Sequence, residues 1–265
     1  MASPIRAAAK AVFSLIDLPL GSFPGPKILI YHQIGADNGK QMDLDRDHFR
    51  RHVAFLTNSG FSILPLREAI DRRAEPESHK HVVLTFDDGY DDMYRNAYPL
   101  LEELQIPFTV YLTSHPIEAQ SPLSNDGRSV PISWEQVNTM QESGLVTVGA
   151  HTHTHPDFRT LEASRAEQEI GISTDLIERR TGVRPEHFAY PWGYWSSSGD
   201  HAVRAHYSSA VLGGGKPIDA ATDPLMLNRI PVQLNDGVVF FKHKLRRGQR
   251  TEEYVRRRLA KYDGP

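Results

Sequence analysis

The chain has 265 residues, 39% apolar and 24% charged, the balance of a protein that buries a core rather than a disordered or membrane-spanning one. Thirty basic against 33 acidic side chains leave a net charge of −3 with histidine neutral, so nothing in the total calls for nucleic acid as a partner. There is no cysteine, which excludes a disulfide framework, a thiolate metal site and a thiol nucleophile.

Residues 1–26 read as an N-terminal extension, expected to be helical. Arg6 and Lys10 precede a short apolar run that Asp17 and Pro19 interrupt, and no small-residue cleavage site follows. An amphipathic surface helix fits this better than a signal peptide, with peripheral membrane contact as the minority reading. A cytoplasmic location, membrane-associated if that helix lies on lipid, is the expectation. No stretch reaches the roughly 20 apolar residues of a membrane span.

Residues 27–240 read as the main domain. Lys27–Tyr31 is an apolar strand bounded by Pro24-Gly25-Pro26 and Gly35. Asp47–Asn58 carries Phe49, Val53 and Leu56 at helical spacing and closes at Ser59-Gly60. Ser62–Pro65 is a short strand and Leu66–Arg73 the beginning of a helix. His81–Phe86 is a second buried strand ending in Asp87-Asp88-Gly89. Tyr94–Leu104 is helical and Phe108–Leu112 a strand, after which residues 114–130 read as a long loop. Ser133 caps a helix over Trp134–Ser143, with Gln136 completing a capping box. Val146–Ala150 is a strand running into a histidine cluster, and Leu161–Thr181 is the longest helix, ended by Gly182. His187–Tyr190, Ser209–Leu212 and Asn228–Val232 are further strands, with a helix over Asp200–His206. Residues 241–265 are strongly basic and read as a solvated C-terminal helix or tail, the rival being a patch for anionic lipid or polymer.

This alternation predicts an α/β fold with a parallel sheet, open or closed into a barrel. Tyr31-His32, Asp87-Asp88, His151–His155 and Pro191–Gly193 each lie just past the C-terminal end of a strand. Catalytic groups collect at that edge in such folds. In His151-Thr152-His153-Thr154-His155 two imidazoles could be aimed together on either a helix or a strand, and imidazole is a common ligand of divalent ions. Adjacent aspartates at a strand end are costly without a cation or donors. Two histidines and one carboxylate leave coordination positions open, the mark of a catalytic metal site. Taken singly, each cluster has a plainer reading: a surface histidine run in a chain with 13 histidines, and a turn that favours Asp and Gly.

Thr85-Phe86-Asp87-Asp88-Gly89 and His151-Thr152-His153-Thr154-His155-Pro156 together resemble the first two motifs of the NodB-type polysaccharide deacetylases, carbohydrate esterase family four, over residues 27–232. The resemblance implies a distorted, incomplete (β/α) barrel of about seven strands. It implies Asp87 as general base, Asp88, His151 and His155 as ligands of one divalent ion, and His153 as a non-ligand. Zinc is the first choice of metal, with cobalt, nickel or iron also compatible. The third motif, Ala189-Tyr190-Pro191-Trp192-Gly193, lacks the arginine that normally orients the base. Arg229 is a candidate to supply that charge, the alternative being a surface arginine. The Trp192 N–H would help hold an oxyanion. The usual late leucine-x-histidine motif is absent, and Tyr31-His32 resembles the permuted branch that includes the poly-N-acetylglucosamine deacetylases, which implies His32 as the general acid, the plainer reading being a buried histidine that caps the strand.

Tyr90, Tyr190, Pro191, Trp192, Gly193, Tyr194 and Arg229 are the expected substrate groove, with Trp195 among the aromatics suited to sugar faces or to the core. The expected substrate is an N-acetylated glycan or glycolipid that loses acetate. An amidase on a small non-carbohydrate amide, or an inactive carbohydrate-binding or scaffold protein, are the rival functions.

Overall fold

Residues 24–123 and 129–247, with Arg258, are described in the structure, a computed structural model. The expected N-terminal helix lies almost wholly outside the described residues, as does the basic stretch after 247 apart from Arg258.

Among the described residues ten strands form in chain order: β1 (Lys27–Tyr31), β2 (Gln33–Ile34), β3 (Asp43–Leu44), β4 (Ser62–Ile63), β5 (His81–Phe86), β6 (Phe108–Leu112), β7 (Val146–Ala150), β8 (His187–Ala189), β9 (Ser209–Gly213) and β10 (Leu227–Pro231). The main sheet runs β1-β10-β9-β8-β7-β6-β5, and β5 pairs back onto β1, closing a barrel of parallel strands. Its seven strands match the expected number. Ile28 stands opposite Arg229 on one edge of β1 and Val83 on the other. The short β4 pairs only with the start of β5, at His81 and Val82. β2 and β3 form a separate two-stranded ribbon that frames residues 35–42.

Alternation along the strands sorts residues into two apolar clusters. Leu29, Tyr31, Leu84, Phe86, Phe108 and Val110 pack with the helices in the larger one. Ile28, Val83, Tyr111, Ala189, Val211 and Leu227 form the smaller, with Leu66, Ala69 and Ile70 of the following helix against them. The strands are therefore covered on both faces, and β1, β5 and β6 are buried along their whole length and mostly apolar. Gly149 belongs to this packing: a Cβ there would lie 2.5 Å from the Tyr111 ring.

The helices are α1 (Arg46–Asn58), α2 (Leu66–Asp71), α3 (Asp91–Asn96), α4 (Tyr98–Glu103), α5 (Ser114–Ala119), α6 (Trp134–Glu142), α7 (Ala163–Thr181), α8 (Ser197–His206) and α9 (Val238–Arg247). The capping box on α6 is present in both directions, with Gln136 N–H donating to Ser133 Oγ and Ser133 N–H to Gln136 Oε1. Gly182 ends α7 in the left-handed region.

Three expectations need correction. The helix read over 94–104 is two helices, broken at Ala97 just before Pro99, whose ring cannot sit deep in a helix. The long loop from 114 begins as α5, because Ile117 is buried there. The C-terminal segment is not solvated from 241: Phe241 and Leu245 are buried, and Phe241 stacks on His52 of α1 at 3.8 Å. The buried Lys244 pairs with Asp236 and donates to the Pro231 carbonyl. Among the described residues no helix is long and apolar enough to cross a membrane.

Candidate active site

All barrel strands run the same way, so their C-terminal ends share one rim. There lies a cleft of about 780 Å³, lined among others by His32, Asp87, Asp88, His151, His155 and Arg229. That size suits a small-molecule or oligomer site, which commonly spans ~300–1,000 Å³.

The Asp-Asp-Gly turn explains how neighbouring carboxylates face different partners. Asp87 extends β5, its N–H donating to the Tyr31 carbonyl at 3.0 Å. Asp88 then turns left-handed, with φ +72°, a region aspartate tolerates better than most residues. Its Oδ1 comes to 3.6 Å from His151 Nε2 and 3.5 Å from His155 Nε2. These distances are long for hydrogen bonds, yet all three ligating atoms lie within 4.8 Å of one another. Atoms bound at ~2.0–2.1 Å on a tetrahedron stand about 3.4 Å apart, so this donor set fits a divalent ion such as zinc.

His151 is already arranged as a ligand. Its Nδ1–H donates to the Ala189 carbonyl at 2.7 Å, leaving Nε2 facing Asp88. Burial, aided by the charge of His155 and opposed by Asp87 and Asp88, lowers its pKa to about 4, so it is neutral at pH 7. His155 sits at φ +59°, after Thr152 at φ +71°, with its N–H held by Thr152 Oγ1 at 3.0 Å. His153 has a different partner, its Nδ1 lying 2.9 Å from Ser114 Oγ.

Asp87 is gripped by Arg229, whose two terminal nitrogens donate to the two carboxylate oxygens at 2.6 Å each. Nη1 also donates to Thr85 Oγ1 at 3.0 Å. Burial would raise the Asp87 carboxyl, but the charges of Arg229 and His151 and the Arg229 hydrogen bonds outweigh it and hold the pKa at about 2. Arg229 is 1% exposed, so the surface reading of it is wrong. For Asp88 burial is likewise outweighed by His155, His32 and His151, and its carboxyl lies below the usual range. His32 lines the cleft next to these carboxylates, and its Nδ1 is buried without a hydrogen-bond partner among the described residues.

The groove expectations divide. Tyr90, Trp192, Gly193 and Arg229 line the cleft. Trp192 is 61% exposed, left-handed at φ +61°, with its ring 5.3 Å from that of His155. Gly193 must be glycine, since a Cβ would lie 2.6 Å from the backbone of Gly213. Tyr190, Pro191 and Tyr194 do not line it. Tyr190 is fully buried against Phe158 and Phe188, Pro191 is buried, and Tyr194 lies under the Arg159 guanidinium. Trp195 packs on the core, its Nε1–H donating to Asp200. The 190–195 turn is irregular, so neither strand nor helix periodicity tells which aromatics face out.

The sequence reading missed Lys40, Gln41 and Met42 on the 35–42 loop, and His115, all lining the cleft. It also missed Glu169, which is 1% exposed on α7. One signal could have found it: Ala166, Ile170, Ser173 and Ile177 mark the buried stripe of that helix, and Glu169 lies on it.

A family model described as polysaccharide deacetylase matches residues 74–208, and the chain belongs to that family. It is 27% identical over 172 residues to YxkH of Bacillus subtilis (strain 168), covering 64% of this chain and 57% of that one. It is 32% identical over 134 residues to the poly-beta-1,6-N-acetyl-D-glucosamine N-deacetylase of Escherichia coli (strain K12), covering 46% of this chain and 20% of that one. The chain thus spans less than two thirds of the length of either relative. Among solved structures, IcaB from Ammonifex degensii superposes with a TM-score of 0.71 at 26% identity, over 80% of this chain and 93% of that one.

Proposed function

We propose that this chain is a metal-dependent N-deacetylase that hydrolyses the acetamido group of an N-acetylated amino sugar in a glycan or glycolipid, releasing acetate. The observation that carries the reading is the pairing of an ionised, Arg229-clamped Asp87 with the Asp88, His151 and His155 donor set at one cleft. Family membership and the likeness to a poly-N-acetylglucosamine deacetylase support the substrate class.

Asp88, His151 and His155 would hold the ion, zinc being the first choice. A divalent ion there acidifies water and polarises a carbonyl oxygen. Asp87, held near pKa 2, is a weak base toward ordinary water and serves only against water of raised acidity. It takes the proton as water attacks the acetyl carbon, and Arg229 keeps it in place. The oxygen that gains charge is met by a backbone N–H at Trp192. His32 protonates the amine, without which the C–N bond does not break readily. Trp192 offers its exposed ring to a sugar face.

The test is acetate release from β-1,6-linked N-acetylglucosamine oligomers, with a panel of small N-acetyl amides beside them. Turnover of the small amides with none of the oligomers would replace this reading with that of an amidase.

A further inference from the structure

Glu169 on α7 is a carboxylate in a buried position, and all its hydrogen bonds but one go to the loop that carries His151 and His155. Its Oε2 accepts the N–H of His153 at 3.1 Å and that of Thr154 at 2.8 Å. Its Oε1 accepts the Thr154 hydroxyl at 2.9 Å and an Arg165 N–H at 3.0 Å. Both oxygens are thereby occupied, and the carboxylate is fixed.

The loop needs such a clamp. Thr152 and His155 both occupy the left-handed region, where β-branched and bulky side chains are strained unless surroundings hold them. From the other side, the N–H groups of Ser114 and His115 hold the carbonyls of Thr152 and His153 at 3.1 and 2.8 Å. Glu169 supplies the complementary grip, on the amides. The two histidines differ in how much they depend on it. His151 is anchored through its own ring to the Ala189 carbonyl. His155 is held through its backbone N–H, which donates to Thr152 Oγ1, so its ring direction follows the loop.

We propose that Glu169 is a positioning residue that sets metal affinity by pre-forming the backbone on which His155 is aimed. This rests on the reading of Asp88, His151 and His155 as metal ligands. Supporting groups of this kind are commonly worth ~10–100-fold in metal affinity.

The experiment is zinc binding to the purified chain by competition with a chromophoric chelator, for wild type, Glu169→Ala and Glu169→Gln. Glu169→Ala is expected to bind zinc ~10–100-fold more weakly, with kcat recovering when zinc is raised to saturation. Glu169→Gln keeps one oxygen for the two backbone N–H groups and should fall between wild type and alanine. If Glu169→Ala does not fold, the near-isosteric Glu169→Gln decides: weaker zinc binding supports the proposal, and unchanged binding overturns it. Wild-type affinity in a folded Glu169→Ala overturns it too, while leaving the metal site intact. A wild type that binds no zinc overturns the metal site itself, and Glu169 with it.

Discussion

Asp87 and Arg229 lie 142 residues apart in sequence and meet through two hydrogen bonds of 2.6 Å, Asp87 directly after β5 and Arg229 on β10, the two strands that flank β1. The forked guanidinium matches both carboxylate oxygens, a match lysine cannot reproduce. The charge missing from the third motif therefore comes from β10.

Removing one side of this pair strands a buried charge. Arg229→Met is expected to destabilise the protein by ~3–5 kcal/mol and to lower kcat/KM by orders of magnitude. It should also raise the Asp87 pKa from about 2, moving the acidic limb of the kcat/KM profile to higher pH. Arg229→Lys keeps charge without the fork and should fall between. A pH–rate profile of Arg229→Lys superposing on wild type would contradict the positioning role.

His32 can be separated from the other groups by its leaving group. An amine must be protonated to depart, whereas 4-nitrophenolate leaves unaided. His32→Ala should lower acetate release from acetamido sugars ~10²–10⁴-fold while changing 4-nitrophenyl acetate hydrolysis far less. Equal losses on both substrates would assign His32 a different role.

Trp192 offers an exposed ring and takes no proton. Trp192→Ala is expected to raise KM for oligomers about tenfold, the equivalent of ~1.4 kcal/mol, with kcat little changed. Steady-state kinetics on oligomers of increasing length would read this directly.

The metal-free protein should weaken in acid. Burial first of all holds His52, His151 and His187 at about 4, against an ordinary ~6.5. Between those values the unfolded chain binds protons that the folded chain lacks, so stability falls as pH drops from 6.5 toward 4. Asp92 works the other way: burial raises it to about 7, so the folded chain holds its proton through a window in which the unfolded chain has lost it. Three groups against one leave a net loss of about 2–4 kcal/mol between pH 7 and pH 5. Urea unfolding at the two pH values checks this, and Asp92→Asn should deepen the loss.

The sequence made the barrel legible because its strands are covered on both faces. The spans read for β1, β5, β6 and β7 coincide with those observed, each a short apolar run between turn residues. The candidate donor set was legible because Asp88, His151 and His155 fall in two short local motifs at strand ends. What the sequence hid was partnership between distant segments. Arg229 could be named as a candidate, but its burial against Asp87 depends on β10 closing beside β1. Tyr190 and Tyr194 were misplaced because an irregular turn has no period to betray which ring faces inward.

The central claim is tested most directly by acetate release from β-1,6-linked N-acetylglucosamine oligomers, followed before chelation, after it, and after zinc is restored. Activity should vanish on chelation and return with zinc for the wild type, while Asp88→Asn stays inactive at every step. Full acetate release from a protein stripped of its metal would contradict the account.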